Sequence, residues 1–194
     1  MIGNQSMPAA KKRSKAARAL EFPRTLRLHW VCGGRRCGNP LAFNRQQQQQ
    51  TQWCWAAVAV SVNLYYHANS GRTQCALVNS ALSQTTCCAN GNSTQCNQPW
   101  FLDQALQIVG NLNAFTGGKA SLTAVKAEIN NCRPICMRIA WNGGGGHFVT
   151  IFGYSGGTIN IADPWFGTSV ASHSTFPSGY NGGGTWTHNY TTRP

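Results

Sequence analysis

The hydrophobic and polar positions divide the chain into a helical half and a strand-forming half. Residues 53–66, WCWAAVAVSVNLYY, are apolar almost all round, rich in alanine and without strict alternation. That pattern predicts a helix buried in a core. Thr51 is the expected N-cap, which sets Cys54 in the first turn. Pro99 is placed to open a second helix, with Phe101, Leu102, Ala105, Leu106, Ile108 and Val109 on one broad face and Gly110 or Asn111 ending it. Ser121 is the expected cap of a third, which carries Leu122, Val125 and Ile129 at helical spacing. Residues 69–97, between the first two helices, hold turn formers and four cysteines and read as a stapled loop region.

After Pro134 the period falls to two. Ile135, Met137, Ile139 and Trp141 alternate with Cys136, Arg138 and Ala140. A glycine run follows at 143–146, and residues 147–153 and 158–163 form β-rich runs around Tyr154-Ser155-Gly156-Gly157, a hairpin signal. Further strands are expected near 168–176 and 185–192. Helices come first and strands last, so the predicted class is α+β with an antiparallel sheet.

Composition narrows the chemistry. Hydrophobic residues make up 42% of the 194, enough for one buried core, and no apolar run is long enough to predict a membrane-spanning helix. Glu21, Asp103, Glu128 and Asp163 are the whole supply of carboxylates, so sites needing several converging carboxylates are hard to build. The net charge of +12 is uneven: residues 1–45 carry ten Lys/Arg against one acid, and residues 46–194 six against three. Residues 1–45 therefore read as a basic leader or propeptide-like segment and residues 46–194 as the globular domain. The cluster Lys11, Lys12, Arg13, Lys15 and Arg18 would suit nucleic acid or anionic lipid, but no aromatic residue interleaves it. A solvated leader is the favoured reading, and no specific nucleic-acid partner is expected.

Nine cysteines suggest an oxidising destination, and the odd number leaves one thiol over. With Cys54 as the spare, up to four bridges are open. Cys87 and Cys88 are expected to bond elsewhere than to each other, with Cys75 and Cys96 as near candidates, and Cys32 and Cys37 could close a small loop. Zinc is disfavoured by the absence of any CxxC pair. The first 30 residues show a basic region without an apolar export signal; export by a dedicated machine, or as part of a larger system, would reconcile this with the cysteines, and a cytosolic protein with free thiols is the alternative.

Cys54 is the sharpest feature. Oriented peptide N–H groups at a helix start favour a thiolate, although a small buried hydrophobe would fit the position equally well. His147 and Asp163 break the tie. A hairpin turn centred near residue 155 sets His147 opposite Asp163. The carboxylate can then fix the ring's tautomer while the other nitrogen faces a thiol from the helix. His67, His173 and His188 read as structural, as does His29.

The blocks QWCWAA, CC…CNQPWFLDQAL, GGGGHFVTIFGY and ADPWFGTS follow a glutamine run in that order. The chain resembles compact bacterial papain-like cysteine proteases, a group that includes plant-pathogen effectors cleaving host proteins. The peptidases that cut bacteriocin leaders after a double glycine are more distant relatives. The resemblance covers roughly residues 44–192 and implies a helical lobe whose central helix starts at the nucleophile, joined to an antiparallel β-sheet lobe. It further implies Cys54 as nucleophile, His147 as general base and then acid, and Asp163 as the residue that orients His147, where many relatives use Asn. The oxyanion-hole glutamine falls on Gln48, with Gln49 the alternative register in the run. Trp165 matches a tryptophan that shields the Asp–His bond. Trp100, Trp141 and Phe148 are candidates for subsite walls, with core packing the favoured reading of each.

The resulting expectation is a thiol peptidase of protein or peptide substrates, working through an acyl-enzyme without a cofactor or metal. It would act as an exported effector or toxin, as a monomer, with an immunity protein or inhibitor as a further partner. Two alternatives stand beside it. The same triad could deamidate or transglutaminate glutamine or cut a peptidoglycan amide, or the chain could be a catalytically idle, disulfide-stapled binding module.

Overall fold

The computed structural model describes residues 31–32 and 35–194, with side chains from Cys37 onward. The basic cluster at 11–18 and His29 lie outside the described residues. Two short strands, β1 (Val31–Cys32) and β2 (Arg35–Arg36), pair antiparallel. The expected Cys32–Cys37 clip does not form, because Cys37 is bonded to Cys132, at the end of a distant helix. Residues 37–45 pack onto the globule rather than trailing from it. Leu41 and Phe43 are buried, and the Leu41 N–H donates to the Phe152 carbonyl.

Helix α1 (Cys54–Tyr66) is the centre of the fold: every residue in it except Leu64 and Tyr66 is buried. It packs against α2 (Gln74–Leu82), α3 (Leu102–Ile108) and the sheet. Helix α2 lies inside the segment read as a stapled loop. Its start is fixed by the Thr73 side chain, which accepts from the Ala76 N–H, a cap that the neighbouring cysteines obscured. The expected pairings around the adjacent cysteines are present as Cys75–Cys88 and Cys87–Cys96. Pro99 lies outside α3, whose N-cap is Phe101. Ser121 caps α4 (Leu122–Asn130), its side chain accepting from the Ala124 N–H.

The sheet has six antiparallel strands in the order β3-β8-β4-β5-β6-β7. These are β3 (Leu112–Gly117), β4 (Ile135–Trp141), β5 (Gly146–Ser155), β6 (Thr158–Asp163), β7 (Gly167–Ser172) and β8 (Gly184–Thr192). Strand β3 departs from the order of helices first and strands last. It is a solvent-facing edge strand before α4, and so lacks the alternation that would have announced it. The central strands bury both faces where α1 and α4 cover them, as in β5, where residues 147–153 are all buried. The glycine run between β4 and β5 is a tight turn, with Gly144 and Gly145 at positive φ and the Gly144 N–H donating to the Trp141 carbonyl.

Candidate active site

The nucleophile candidate stands at the first residue of α1, but Thr51 is not its cap. Trp53 occupies the N-cap position but its side chain makes no capping hydrogen bond to the helix, while the Thr51 hydroxyl accepts from Asn97. The helix therefore opens at Cys54 with no side chain of its own laid across its first-turn donors. The loop leading into it is held from outside. Indole N–H groups of Trp53 and Trp55 donate to the carbonyls of Cys96 and Gln98, and the Gln52 N–H donates to the Asn97 side chain. The Cys87–Cys96 disulfide thus ends beside the residues that hold the loop before Cys54. Sequence reasoning gave Asn97 and Gln98 no role, since nothing local marks a residue as the support of a loop 45 positions away.

The glutamine run is pinned as well. Buried Gln74, at the start of α2, accepts from the Gln49 N–H and donates to the Gln47 carbonyl, and the Gln48 N–H donates to the Pro164 carbonyl. This turns Gln48 inward, where it lines the cleft with Cys54 and His147, and leaves Gln49 exposed. The Gln48 amide nitrogen donates to the carbonyls of Gln50 and Thr51, and its Oε1 is buried without a hydrogen-bond partner.

His147 Nε2 lies 2.8 Å from Asp163 Oδ1. The expected register was only approximate: Thr150 pairs with Ala162, so the strands are offset by two residues from a His147–Asp163 pairing. The turn centres on Gly156-Gly157 rather than on residue 155, and an irregularity falls between Ile151 and Gly153. The side chains close the gap, because Asp163 ends β6 and turns back under the Trp165 and Phe166 N–H groups, which donate to its Oδ1 at 2.7 and 2.9 Å. Its Oδ2 accepts from the Tyr180 hydroxyl at 2.9 Å.

These contacts set the protonation pattern. Asp163 is 0% exposed, and its burial opposes the charge. The hydrogen bond and charge of His147, with the two backbone donors, outweigh burial and hold the carboxyl below its ordinary range. An ionised carboxylate only accepts, so Nε2 carries the proton and Nδ1 is left for the Cys54 sulfur. Burial also opposes the charged imidazole, but the Asp163 hydrogen bond, then the hydrogen bond and charge of Cys54, raise His147 from 6.5 to about 9. Cys54 is unbridged, as is Cys136 among the described cysteines, which adds a second spare thiol to the one expected.

Trp165, expected to shield the Asp–His bond, is half exposed at the cleft. The rings against the imidazole belong to Trp141, stacked at 5.8 Å, and Phe166, edge-on at 6.2 Å. Trp141, a candidate subsite wall for which core packing is the favoured reading, lines this cleft. Its position beside His147 follows from the tight glycine turn, which folds the end of β4 back onto the start of β5. Cys54 and Gly146 lie where two clefts meet. One, of about 670 Å³, is walled by Trp55, Trp100, Phe101, Phe115, Phe148 and Tyr190 and carries Asp103 and Arg138. The other, of about 400 Å³, is walled by Trp141, Trp165 and Phe166 beside Gln48 and His147. Trp100 and Phe148 thus face the cleft as the subsite reading requires. Among the described residues no group of three His, Cys, Asp or Glu gathers as a metal site, and no helix is long and apolar enough to cross a membrane.

No curated protein matches the chain. Among solved structures, it is similar to the peptidase domain of Streptococcus ComA, a bi-functional ABC transporter involved in quorum sensing, at 17% identity with a TM-score of 0.52, covering 78% of this chain and 99% of that one. It also aligns with a double-glycine-motif protease from an AMS/PCAT transporter, solved with its leader peptide, at 18% identity and a TM-score of 0.46 over 81% and 95% of the two chains. Pseudomonas avirulence protein AvrPphB aligns at 12% identity and a TM-score of 0.41 over 78% and 98%. The ComA likeness shows a shared peptidase fold. The family described as papain-like cysteine protease AvrRpt2 matches residues 38–180, a span that takes in Gln48, Cys54, His147 and Asp163. With most of its length inside that match, the chain belongs to the AvrRpt2 family of papain-like cysteine proteases and is a cysteine peptidase.

Proposed function

We propose that the chain hydrolyses peptide bonds of protein substrates through a Cys54–His147–Asp163 triad. The observation that carries this reading is the unbridged Cys54 sulfur at the start of α1, lining one cleft with an imidazole whose Nε2 is held by a buried carboxylate. The Cys54 thiol passes its proton to His147 Nδ1, and its sulfur attacks the scissile carbonyl carbon as the carbonyl π pair moves onto oxygen. The intermediate then collapses, the C–N bond breaks, and His147 passes its proton to the leaving amine. Water, deprotonated by the same imidazole, hydrolyses the thioester and returns the sulfur. The oxyanion would rest on the Cys54 N–H, at the uncapped start of α1, and on the Gln48 amide, which exchanges a backbone carbonyl for the substrate oxygen.

The two clefts meeting at Cys54 suit an extended peptide with large apolar side chains flanking the cut. No cofactor enters these steps. Delivery out of the producing cell, as an effector or toxin, is supported by the AvrRpt2 family match and by three disulfides among the described residues. A monomer, countered by an immunity protein or inhibitor seated over the clefts, completes the reading.

The test is cleavage of a proteome digest, with product termini mapped by mass spectrometry. Cys54→Ala and His147→Ala should each abolish new termini while keeping the wild-type melting temperature. Iodoacetamide should label Cys54 and spare Cys136, which is fully buried with its thiol pushed up to about 12 by that burial. Retained cleavage by Cys54→Ala would overturn the reading.

A further inference from the structure

Asp163 is the carboxylate that holds the imidazole, and one of its oxygens depends on a side chain with no part in the triad. Oδ1 is shared by His147 Nε2 and the N–H groups of Trp165 and Phe166. Oδ2 is served by the Tyr180 hydroxyl. Tyr180 lies in the turn between β7 and β8, within the stretch Ser-Gly-Tyr-Asn-Gly-Gly-Gly, where sequence gave no hint of a role. Its ring is seated by three neighbours: it stacks on Trp141 at 6.4 Å, meets the edge of Phe166 at 6.3 Å, and packs on Phe176 at 5.0 Å, while Trp141 stacks in turn on His147.

We propose that Tyr180 is a positioning residue for the reaction: its hydroxyl anchors Asp163 Oδ2, so that Oδ1 stays aimed at His147. The inference rests on the triad reading above. A carboxylate is free to rotate about its last bond, and the backbone donors fix only one oxygen. Without an anchor on the other, rotation would exchange the oxygens and carry the proton-bearing Nε2 out of line. Burial and the adjacent Asp163 carboxylate push the Tyr180 phenol up, so it remains a donor throughout the working range. His147 is the titratable group in contact with Asp163, and Cys54 acts on that imidazole in turn; the nearby cations Arg138 and Arg45 lie against Gly146 and near Gly167.

Tyr180→Phe keeps the ring and removes the hydroxyl. With Oδ2 unpartnered in a buried site, the charged carboxylate is disfavoured, so the acid limb of kcat/KM should move to higher pH. The plateau kcat should fall about tenfold, the scale of one hydrogen bond to a charged group. KM should hold, because Tyr180 is not among the residues lining either cleft. Tyr180→Leu, which also removes the stacking, should fall further. A Tyr180→Phe profile superimposable on wild type overturns the proposal, and so does a lowered melting temperature with no movement of the acid limb. Assayed beside it, an inactive Cys54→Ala shows that the triad reading stands whichever way Tyr180 falls, whereas an active Cys54→Ala removes the reading itself.

Discussion

His147 and Asp163 bond at 2.8 Å although their strands are not in register for it, and the reach comes from Asp163 turning back at the end of β6. The coupling makes both stability and activity depend on pH. His147 is raised from 6.5 to about 9, so the stability its charged ring contributes is complete below about 6.5 and lost as pH rises through about 9. Asp163 is lowered, so its contribution is present above its ordinary 3.8 and lost as pH falls through its folded value. The alkaline limb of kcat/KM should lie near 9 in the wild type. Asp163→Asn keeps an acceptor for Nε2 but no charge: activity should stay within about tenfold of wild type while the alkaline limb moves to lower pH. Asp163→Ala removes the acceptor as well and should cost about a hundredfold or more. An alkaline limb unmoved in Asp163→Asn would show that the carboxylate does not set the imidazole's charge.

Gln48 and Gln49 are adjacent and chemically identical, which makes them a clean comparison. Gln48 faces the cleft and Gln49 faces solvent, held by Gln74. Gln48→Ala should lower kcat by about a hundredfold, the cost of one oxyanion donor, while Gln49→Ala should leave it within about twofold. Equal losses from both, measured at saturating peptide, would mean that the loop rather than the Gln48 amide is what matters.

Much of this was legible in the sequence, for identifiable reasons. Helix α1 announces itself because a helix buried on all sides needs an apolar run longer than a strand, and α4 because Ser121 and its helical spacing agree. Cys54, His147 and Asp163 were readable because each sits at the end of an element, where local signals are strongest. The rest depends on contacts between distant segments. Cys37 meets Cys132 across 95 residues, and no local spacing encodes that. Tyr180 and Trp141 reach the site through two glycine turns whose geometry is fixed only when the sheet closes. The strand offset arose because an irregularity after Ile151 and a turn at Gly156-Gly157 each moved the register.

The three disulfides should rank in stability by the loops they close. Cys37–Cys132 spans 95 residues, against 13 for Cys75–Cys88 and 9 for Cys87–Cys96. Replacing both cysteines by serine should cost about 4–5 kcal/mol for the first and about 3 kcal/mol for each of the others, read from urea midpoints. Activity should follow a different order. Cys87–Cys96 ends at the carbonyl that receives the Trp53 indole and beside the Asn97 that holds the Gln52 N–H. Its removal should lower kcat even well below the melting temperature, while loss of Cys37–Cys132 under the same conditions should leave kcat near wild type. Equal kcat losses from the two variants would mean that the Cys96 end of the bridge has no special link to the nucleophile loop.

Two glycines of β5 separate the demands of fold and site. At Gly153 a Cβ would lie 2.5 Å from Pro40 Cβ and 2.7 Å from Pro40 Cα, in the segment that clamps the strand from outside. There the Asn39 side chain brackets Tyr154, accepting from its N–H and donating to its carbonyl, and the Leu41 N–H donates to Phe152. Pro40 is held on both sides and cannot yield cheaply, so Gly153→Ala should cost about 1–3 kcal/mol. Gly153 is about 20 Å along the strand from His147, at the rise of an extended chain, so kcat/KM of the folded variant should be unchanged. At Gly146 a Cβ would lie 2.6 Å from the Arg138 guanidinium, the tip of a flexible side chain that can swing away. Gly146→Ala should therefore change stability by less than about 1 kcal/mol. The displaced guanidinium would swing within the larger cleft, one residue from His147, and KM should rise for peptides that fill it. Denaturation midpoints and steady-state kinetics on the same two proteins test the division. A Gly146→Ala variant with unchanged KM would show that Arg138 does not shape the cleft.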